Sequence, residues 1–239
     1  MIVLPQELNP SGDGFIPGLA LDFVIFGFHE GELKILVLEY QNTYLFALPG
    51  GFIYQNEALE MAAHRVAAER TGLTELYLEQ FHTFGSLTRF DPKPLRTIMQ
   101  ANGLQPAADH WLLQRFVTVG YYALVDFTKA VPTPDPMSDR CRWYDLSSLP
   151  ALMLDHHQIV EKALHCLRND LDRKLIGFNL LGDSFTMNTL QSLYETILGE
   201  PLNRSSFQRR MINLGILERL DKTYNGKAHK APFLYRFSH

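Results

Sequence analysis

Leu19–Phe28 and Leu33–Tyr40 are two runs dense in aliphatic, β-branched and aromatic residues, separated by His29-Glu30-Gly31-Glu32. A short polar break containing glycine between two such runs predicts a β-hairpin. Beyond Leu48-Pro49-Gly50-Gly51 the periodicity changes. Glu57–Thr71 places Ala, Leu, Met, Ala and Val at helical spacing, with Gly72 where a helix ends in a left-handed residue. Leu76–Gly85 and Phe116–Phe127 read as two further strands, and Trp143–Leu146 as a short last one after the proline-rich loop Pro132–Pro136. The stretch between the two middle strands, Asp91–Gln114, carries Pro92, Pro94, Gly103 and Pro106 with two weakly helical pieces. It reads as an inserted excursion over the sheet edge or a pocket, because loops of that length usually serve a function.

His156–Leu171 reads as a helix able to link two halves of the chain. From Thr186 onward the grammar becomes helix, turn, helix, hairpin. Thr186–Leu198 carries Leu190, Leu193, Tyr194, Ile197 and Leu198 as one apolar stripe. Gly199-Glu200-Pro201-Leu202 is a tight turn, and Asn203 is a good N-cap for Arg204–Leu214. That second helix is expected to bury Phe207, Met211 and Leu214 and to present Arg204, Ser205, Gln208 and Arg209. Gly215–Leu220 and Phe233–Phe237 read as a hairpin whose tip holds Lys222, Asn225, Gly226, Lys227, His229 and Lys230. The organisation predicted is residues 1–154, a linker helix over 155–175, and a second domain over 176–239.

Charge sharpens this division. The chain of 239 residues carries a formal net charge of −4, but residues 174–239 hold nine Lys+Arg against five Asp+Glu. Asn203–His239 alone holds eight against two. A basic tail on an acidic body implies an anionic partner, with nucleic acid first. Ser, Gln and Arg near a helix N-terminus reach base edges and phosphates in a major groove. A basic hairpin tip after a helix-turn-helix contacts the DNA backbone as a wing. The DNA-contacting set is therefore Arg204, Ser205, Gln208, Arg209, Lys222, Lys227, His229 and Lys230. Arg210 flanks the core as readily as the groove. The alternatives for this half are an RNA-binding or protein-binding winged helix, or a basic face that is simply solvated.

Other chemistry is sparse. Cys141 and Cys166 have no metal-ligand spacing and read as reduced thiols. The N-terminus has no signal-peptide pattern. The longest apolar run, broken by Asp22, Gly27 and His29, falls short of the roughly 20 residues of a membrane span. A cytoplasmic protein is expected. Asp155, His156 and His157 read as helix-start residues rather than metal ligands.

Gly51, Glu57, Arg65, Glu69, Gly72 and Leu73, preceded by Leu48-Pro49-Gly50-Gly51-Phe52, have the spacing of the Nudix box. The first half thus resembles the Nudix fold, a mixed sheet between helices. Nudix hydrolases hold Mg²⁺ with carboxylates one turn apart on a helix, and the metal bridges them to a diphosphate. The positions that the family fills with Glu are here Val66, Glu69 and Arg70. Val66 offers no lone pair. Arg70 puts a cation where a metal would bind, at a cost on the order of 4 kcal/mol per unit charge at ~4 Å and an effective dielectric of ~20. The resemblance therefore implies no catalytic residue, no metal and no cofactor. Glu57 and Arg65 have an equally physical role as an ion pair tying loop to helix.

The two halves together resemble the Nudix-related transcriptional regulators, through Phe26-Gly27-Phe28, the degenerate box, Arg115–Tyr122, Gly177–Leu181, Leu190–Glu195, Gly199–Leu202 and Leu234–Phe237. The chain looks closest to the arabinose-responsive branch known from Bacteroides. The resemblance implies an α+β protein, a Nudix-type α/β/α sandwich followed by a winged helix-turn-helix. It implies a homodimer on a palindromic double-stranded DNA operator and a small-molecule effector, a sugar or a sugar nucleotide such as ADP-ribose. Effector contacts are expected from Gly50, Gly51, Phe52, Arg65, Glu69 and Phe90 under a lid formed by Asp91–Gln114. The rivals are a Nudix pyrophosphatase acting on ADP-ribose or a related nucleoside diphosphate sugar, and a non-catalytic RNA-binding Nudix protein.

Overall fold

The computed structural model describes residues 12–29, 31–40, 42–171, 180–181, 183–222 and 231–238. The predicted hairpin is present as β1 (Phe15–His29) and β2 (Glu32–Tyr40), with Phe26 opposite Ile35. β3 (Leu45–Ala47) and β4 (Gly50–Tyr54) follow. Both escape sequence reading because they are short and flanked by Pro49 and glycines. Helix α1 (Leu59–Thr71) ends at Gly72, whose φ of 70° lets its amide close the last turn on the Ala68 carbonyl. β5 (Tyr77–Phe84) and β6 (Val117–Val125) match the expected strands, and β7 (Arg140–Asp145) begins a little before the expected one.

These strands form one mixed sheet in the order β3-β2-β1-β6-β5, with β4 also paired to β1 and β7 to β2. β1 and β6 run parallel, Asp22 beside Gly120, while the other pairs are antiparallel. β1 is apolar on both sides because both of its faces are covered. Leu21, Phe23 and Ile25 pack with Ala62, Ala63, Val66 and Ala67 of α1. Val24, Phe26 and Phe28 point the other way, toward Ile159, Val160, Ala163 and Leu167 of α3 (His156–Asp170). The expected α/β/α sandwich is formed.

The excursion contains α2 (Lys93–Ala101) and a single 3-10 turn at Trp111–Leu113. It has a small core of its own, in which Met99, Leu112 and Leu113 pack with Phe52, Leu95, Leu104, Trp111 and Met137.

The second half comprises β8 (Phe185–Thr186), α4 (Met187–Leu198), α5 (Arg204–Asn213), β9 (Leu217–Lys222) and β10 (Phe233–Phe237), in a three-stranded sheet of order β8-β10-β9. Thr186 caps α4 by accepting from the Thr189 amide at 3.1 Å, and Asn203 caps α5 by accepting from Ser206 at 3.0 Å. Leu214 departs from expectation. It is the C-cap residue of α5 and 40% exposed, because the helix ends before its side chain can turn back to Phe207 and Met211.

Helix α3 does more than connect. The apolar cluster between α3 and the sheet runs on through Leu190, Leu193, Tyr194, Ile197, Phe207, Met211, Tyr235 and Phe237, so both halves share one core. Polar ties reinforce the join. Arg168 Nε donates to the Ile197 carbonyl at 2.9 Å, Tyr194 to the Leu171 carbonyl at 3.1 Å, and Thr196 to the Gly31 carbonyl at 3.0 Å. Leu167→Ala, at a site with no exposure, should destabilise by about 2–5 kcal/mol. Because the core is shared, urea unfolding followed by Trp111 and Trp143 fluorescence, which reports the first half, should shift together with far-UV circular dichroism of the whole chain. Separate shifts would count against one cooperative unit.

Candidate functional site

Gly50, Gly51, Phe52, Arg65, Glu69 and Phe90 all line one cavity of about 620 Å³. β4 and α1 form one wall. Pro92, Pro94 and Leu95 at the start of α2, with Trp111–Gln114, close over it, and Asp135–Met137 complete the far side. Two adjacent glycines are needed at the wall by close approach. A Cβ on Gly50 would lie 2.7 Å from the Leu21 carbonyl oxygen, and one on Gly51 would lie 2.7 Å from Val66 Cγ2.

Arg65 fixes this wall. Its Nε and Nη2 each donate at 2.8 Å to the two carboxylate oxygens of Glu57, and Nη2 also reaches the Phe52 carbonyl at 2.8 Å. Nη1 meets Glu69 at 3.3 Å, and the guanidinium lies 4.5 Å from the Tyr54 ring centroid. The bond from Arg65 holds the Glu57 carboxyl below its ordinary range. Glu57 and Arg65 therefore form the loop-to-helix tie, and Glu69 is engaged by the same cation.

The remaining box positions do not assemble a magnesium site. Val66 is buried against Gly51, and Arg70 is 9% exposed and lines the cavity. Among the described residues no cluster of three or more His, Cys, Asp or Glu is arranged to hold a metal ion. Cys141 and Cys166 are free thiols, and burial pushes the Cys141 thiol up to about 12.

The floor escaped sequence reading. Asp22, Arg89 and His156 line it. Arg89 donates from Nε to Asp155 at 2.9 Å and from Nη2 to the other Asp155 oxygen at 3.1 Å and to Asp22 at 3.5 Å. Asp155 does stand at the N-cap of α3, but its side chain caps nothing and is turned to Arg89 instead. His156 Nδ1 accepts the Leu48 amide at 2.9 Å, which puts the ring proton on Nε2, 4.0 Å from Asp22. The available signal was Asp22 itself, a carboxylate interrupting a run that is otherwise buried on both faces. Of the aromatic group around Phe52, only Phe52 itself was expected from the sequence. Phe15 stacks on Tyr54 at 5.0 Å, and Phe52 meets Trp111 at 4.8 Å and Phe116 at 5.5 Å, all five bordering the cavity.

In the second half, Arg204, Ser205, Gln208 and Arg209 are exposed on α5 while Phe207 and Met211 are buried. Arg210 lies over the Tyr194 and Phe207 rings, at 5.6 and 5.5 Å, and so flanks the core. Lys222 ends strand β9 rather than lying in the hairpin tip. It pairs with Phe233 and lies 5.0 Å over that ring, because the strand runs two residues past the expected Leu220. Lys227, His229 and Lys230 fall outside the described residues. No helix among the described residues is long and apolar enough to cross a membrane.

Burial drives the His156 pKa below its ordinary value, with Asp22 and Asp155 opposing and Arg89 and His157 reinforcing. A lowered folded pKa means that the unfolded chain takes up this proton first. The stability is fully present above the unfolded value, ~6.5, and is lost as pH falls below it, at up to about 1.4 kcal/mol per pH unit. Melting temperature should therefore drop between pH 7.5 and 5.5. His156→Asn, which keeps an acceptor for Leu48, should flatten that drop. An unchanged profile would show that His156 is not the titrating group.

Comparison with known proteins agrees with this architecture. The Nudix domain model matches residues 18–164. The NrtR DNA-binding winged helix domain model matches residues 177–237. The chain is 33% identical over 229 residues to the ADPR responsive transcriptional repressor NtrR of Acinetobacter baylyi, covering 93% of this chain and 82% of that one. The Shewanella oneidensis NrtR structure complexed with a 27mer DNA matches at 28% identity and a TM-score of 0.67, covering 92% of this chain and 93% of that one. A MutT/nudix family protein from Enterococcus faecalis shares the fold at 21% identity and a TM-score of 0.67, covering 93% and 87%. The cavity thus lies in a Nudix domain and α5 in a winged helix domain, and the chain belongs to the Nudix-related, NrtR-type family of DNA-binding transcriptional regulators.

Proposed function

We propose that this protein is a cytoplasmic repressor that binds a palindromic operator as a homodimer and answers to ADP-ribose or a closely similar nucleoside diphosphate sugar. The observation that carries this reading is the composition of the cavity. It offers an aromatic wall for a base, a cation at the middle of α1, and a buried carboxylate–histidine floor suited to sugar hydroxyls. A pocket of about 620 Å³ lies within the ~300–1,000 Å³ of small-molecule sites and has room for more than one ring. The 33% identity to an ADPR responsive repressor supports the same effector. The arabinose-responsive branch that the sequence looks closest to would place a free pentose there. A pentose alone would leave the aromatic wall and the cation unused.

In this reading Gly50, Gly51, Phe52, Arg65, Glu69 and Phe90 surround the effector, and the domain does not hydrolyse it. Val66 and Arg70 supply no metal-binding oxygen, and Glu69 is committed to Arg65. Arg204, Ser205, Gln208 and Arg209 read the major groove, while Lys222, Lys227, His229 and Lys230 hold phosphates. The test is fluorescence anisotropy of a labelled operator with and without ADP-ribose, arabinose and other pentoses. ADP-ribose should change operator affinity and pentoses should not. A response to arabinose alone would assign the protein to the sugar-sensing branch.

Arg209→Ala should cost about 1–3 kcal/mol of operator binding and relax sequence preference. Lys227→Ala or Lys230→Ala should weaken all sequences alike and make the logarithmic salt slope shallower by about one. If none of the three changes binding in a folded protein, the winged helix is not the DNA reader. Incubation with ADP-ribose and Mg²⁺ should give no turnover. A rate near the enzyme median, roughly 10 s⁻¹, would identify a pyrophosphatase instead.

A further inference from the structure

Arg70 occupies the last of the box positions at which hydrolases of this fold carry a metal-binding carboxylate, and its surroundings are unusual for a structural arginine. It is 9% exposed. Its Nε, fully buried, has no hydrogen-bond partner, and its one hydrogen bond among the described residues is a long contact of 3.4 Å from Nη1 to the Pro134 carbonyl. A guanidinium carries five N–H donors, and the one on Nε is buried here without an acceptor. Among the described residues it forms no ion pair. The nearby acids are engaged elsewhere. Glu69 pairs with Arg65, and Asp135 accepts from the Met137 and Ser138 amides at 2.8 Å each and from Tyr40 at 3.4 Å.

A buried cation without a counter-charge is costly unless something arrives to satisfy it. Arg70 lines the cavity from the helix wall, one turn on from the apolar Val66, and the one carboxylate of that helix on the cavity, Glu69, pairs with Arg65. We infer that Arg70 is an anion anchor: its guanidinium binds the diphosphate of the effector directly, in the place and stead of a divalent metal. The two box substitutions then act together. Val66 removes a negative charge that would repel the phosphates, and Arg70 supplies the positive charge that magnesium otherwise brings. Planar N–H pairs match phosphate oxygens bidentately, so recognition needs no metal. This inference rests on the nucleoside-diphosphate reading of the pocket but adds a residue and a charge mechanism to it.

The experiment is calorimetric titration of the full-length protein with ADP-ribose, adenosine and inorganic pyrophosphate, each in EDTA and in Mg²⁺, for wild type, Arg70→Gln and Arg70→Lys. Melting curves without ligand confirm that each variant is folded. Wild type should bind ADP-ribose equally in EDTA and Mg²⁺. Arg70→Gln should weaken it by about tenfold to a hundredfold, the range of a charge-assisted hydrogen bond. Arg70→Lys should lose less, and adenosine binding should be alike in all three proteins. Undiminished ADP-ribose binding by folded Arg70→Gln, or a requirement for Mg²⁺ in wild type, overturns the inference. Should Arg70→Gln not fold, Arg70→Lys and the wild-type metal comparison decide. Should wild type ignore ADP-ribose, the effector reading fails and pyrophosphate decides separately. Pyrophosphate bound by wild type but not by Arg70→Gln upholds the anchor, and no pyrophosphate binding ends it.

Discussion

One guanidinium, that of Arg89, closes the first half of the molecule. From the 3-10 turn Leu87–Arg89 it reaches the Phe84 carbonyl at the end of β5 and the Phe116 carbonyl just before β6. It also reaches Asp22 in β1 and both oxygens of Asp155 at the head of α3. Its side chain is 6% exposed and those of Asp22 and Asp155 are 13% and 12%. Truncating such a centre leaves uncompensated buried charge, a change that typically costs about 3–5 kcal/mol. The position of α3 on the sheet, and with it the seat of the winged helix, depends on this cluster.

The cluster also lines the floor of the pocket. A ligand group placed against Asp22 or His156 competes for, or adds to, the bonds that seat the first turn of α3. α3 shares its apolar face with α4. From the cavity floor the packing runs through α3, with Asp155 and His156 at one end and Leu167 and Arg168 at the other, to α4 and from there to α5. Arg65 plays the complementary role on the opposite wall. It locks β4 to α1 through Glu57, so the side bearing Gly50, Gly51 and Phe52 is rigid. The wall made by residues 91–114 has a small core of its own, Met99, Leu112 and Leu113, and joins the main core through the buried Ile98.

What was legible in the sequence was local. The box spacing, the apolar stripe of Leu190, Leu193 and Ile197 and the cap Asn203 are periodic or nearest-neighbour signals. They placed both halves, α1, α4 and α5. The lining set Gly50, Gly51, Phe52, Arg65, Glu69 and Phe90 followed from the family resemblance that the box carries. What stayed hidden joins residues far apart in the chain. Arg89 meets partners 66 and 67 positions away, and His156 meets Leu48 across 108. No one-dimensional pattern marks those pairs. Leu214 was misread because an apolar stripe says nothing about where a helix stops. Lys222 was misread because a charged residue can extend a strand when an aromatic lies across from it.

The shared core has a consequence for how this protein can be taken apart. A division at residue 154, natural from the chain's grammar, would strip α3 from the sheet and lay Val24, Phe26 and Phe28 open to water. A division after Asp170 leaves the sandwich closed and instead bares the α4 stripe. Grafting a different reading head onto this sensor, or this head onto another sensor, is therefore a problem of surface matching at α3. Whatever replaces α4 must present an apolar ridge of the same shape to the same helix.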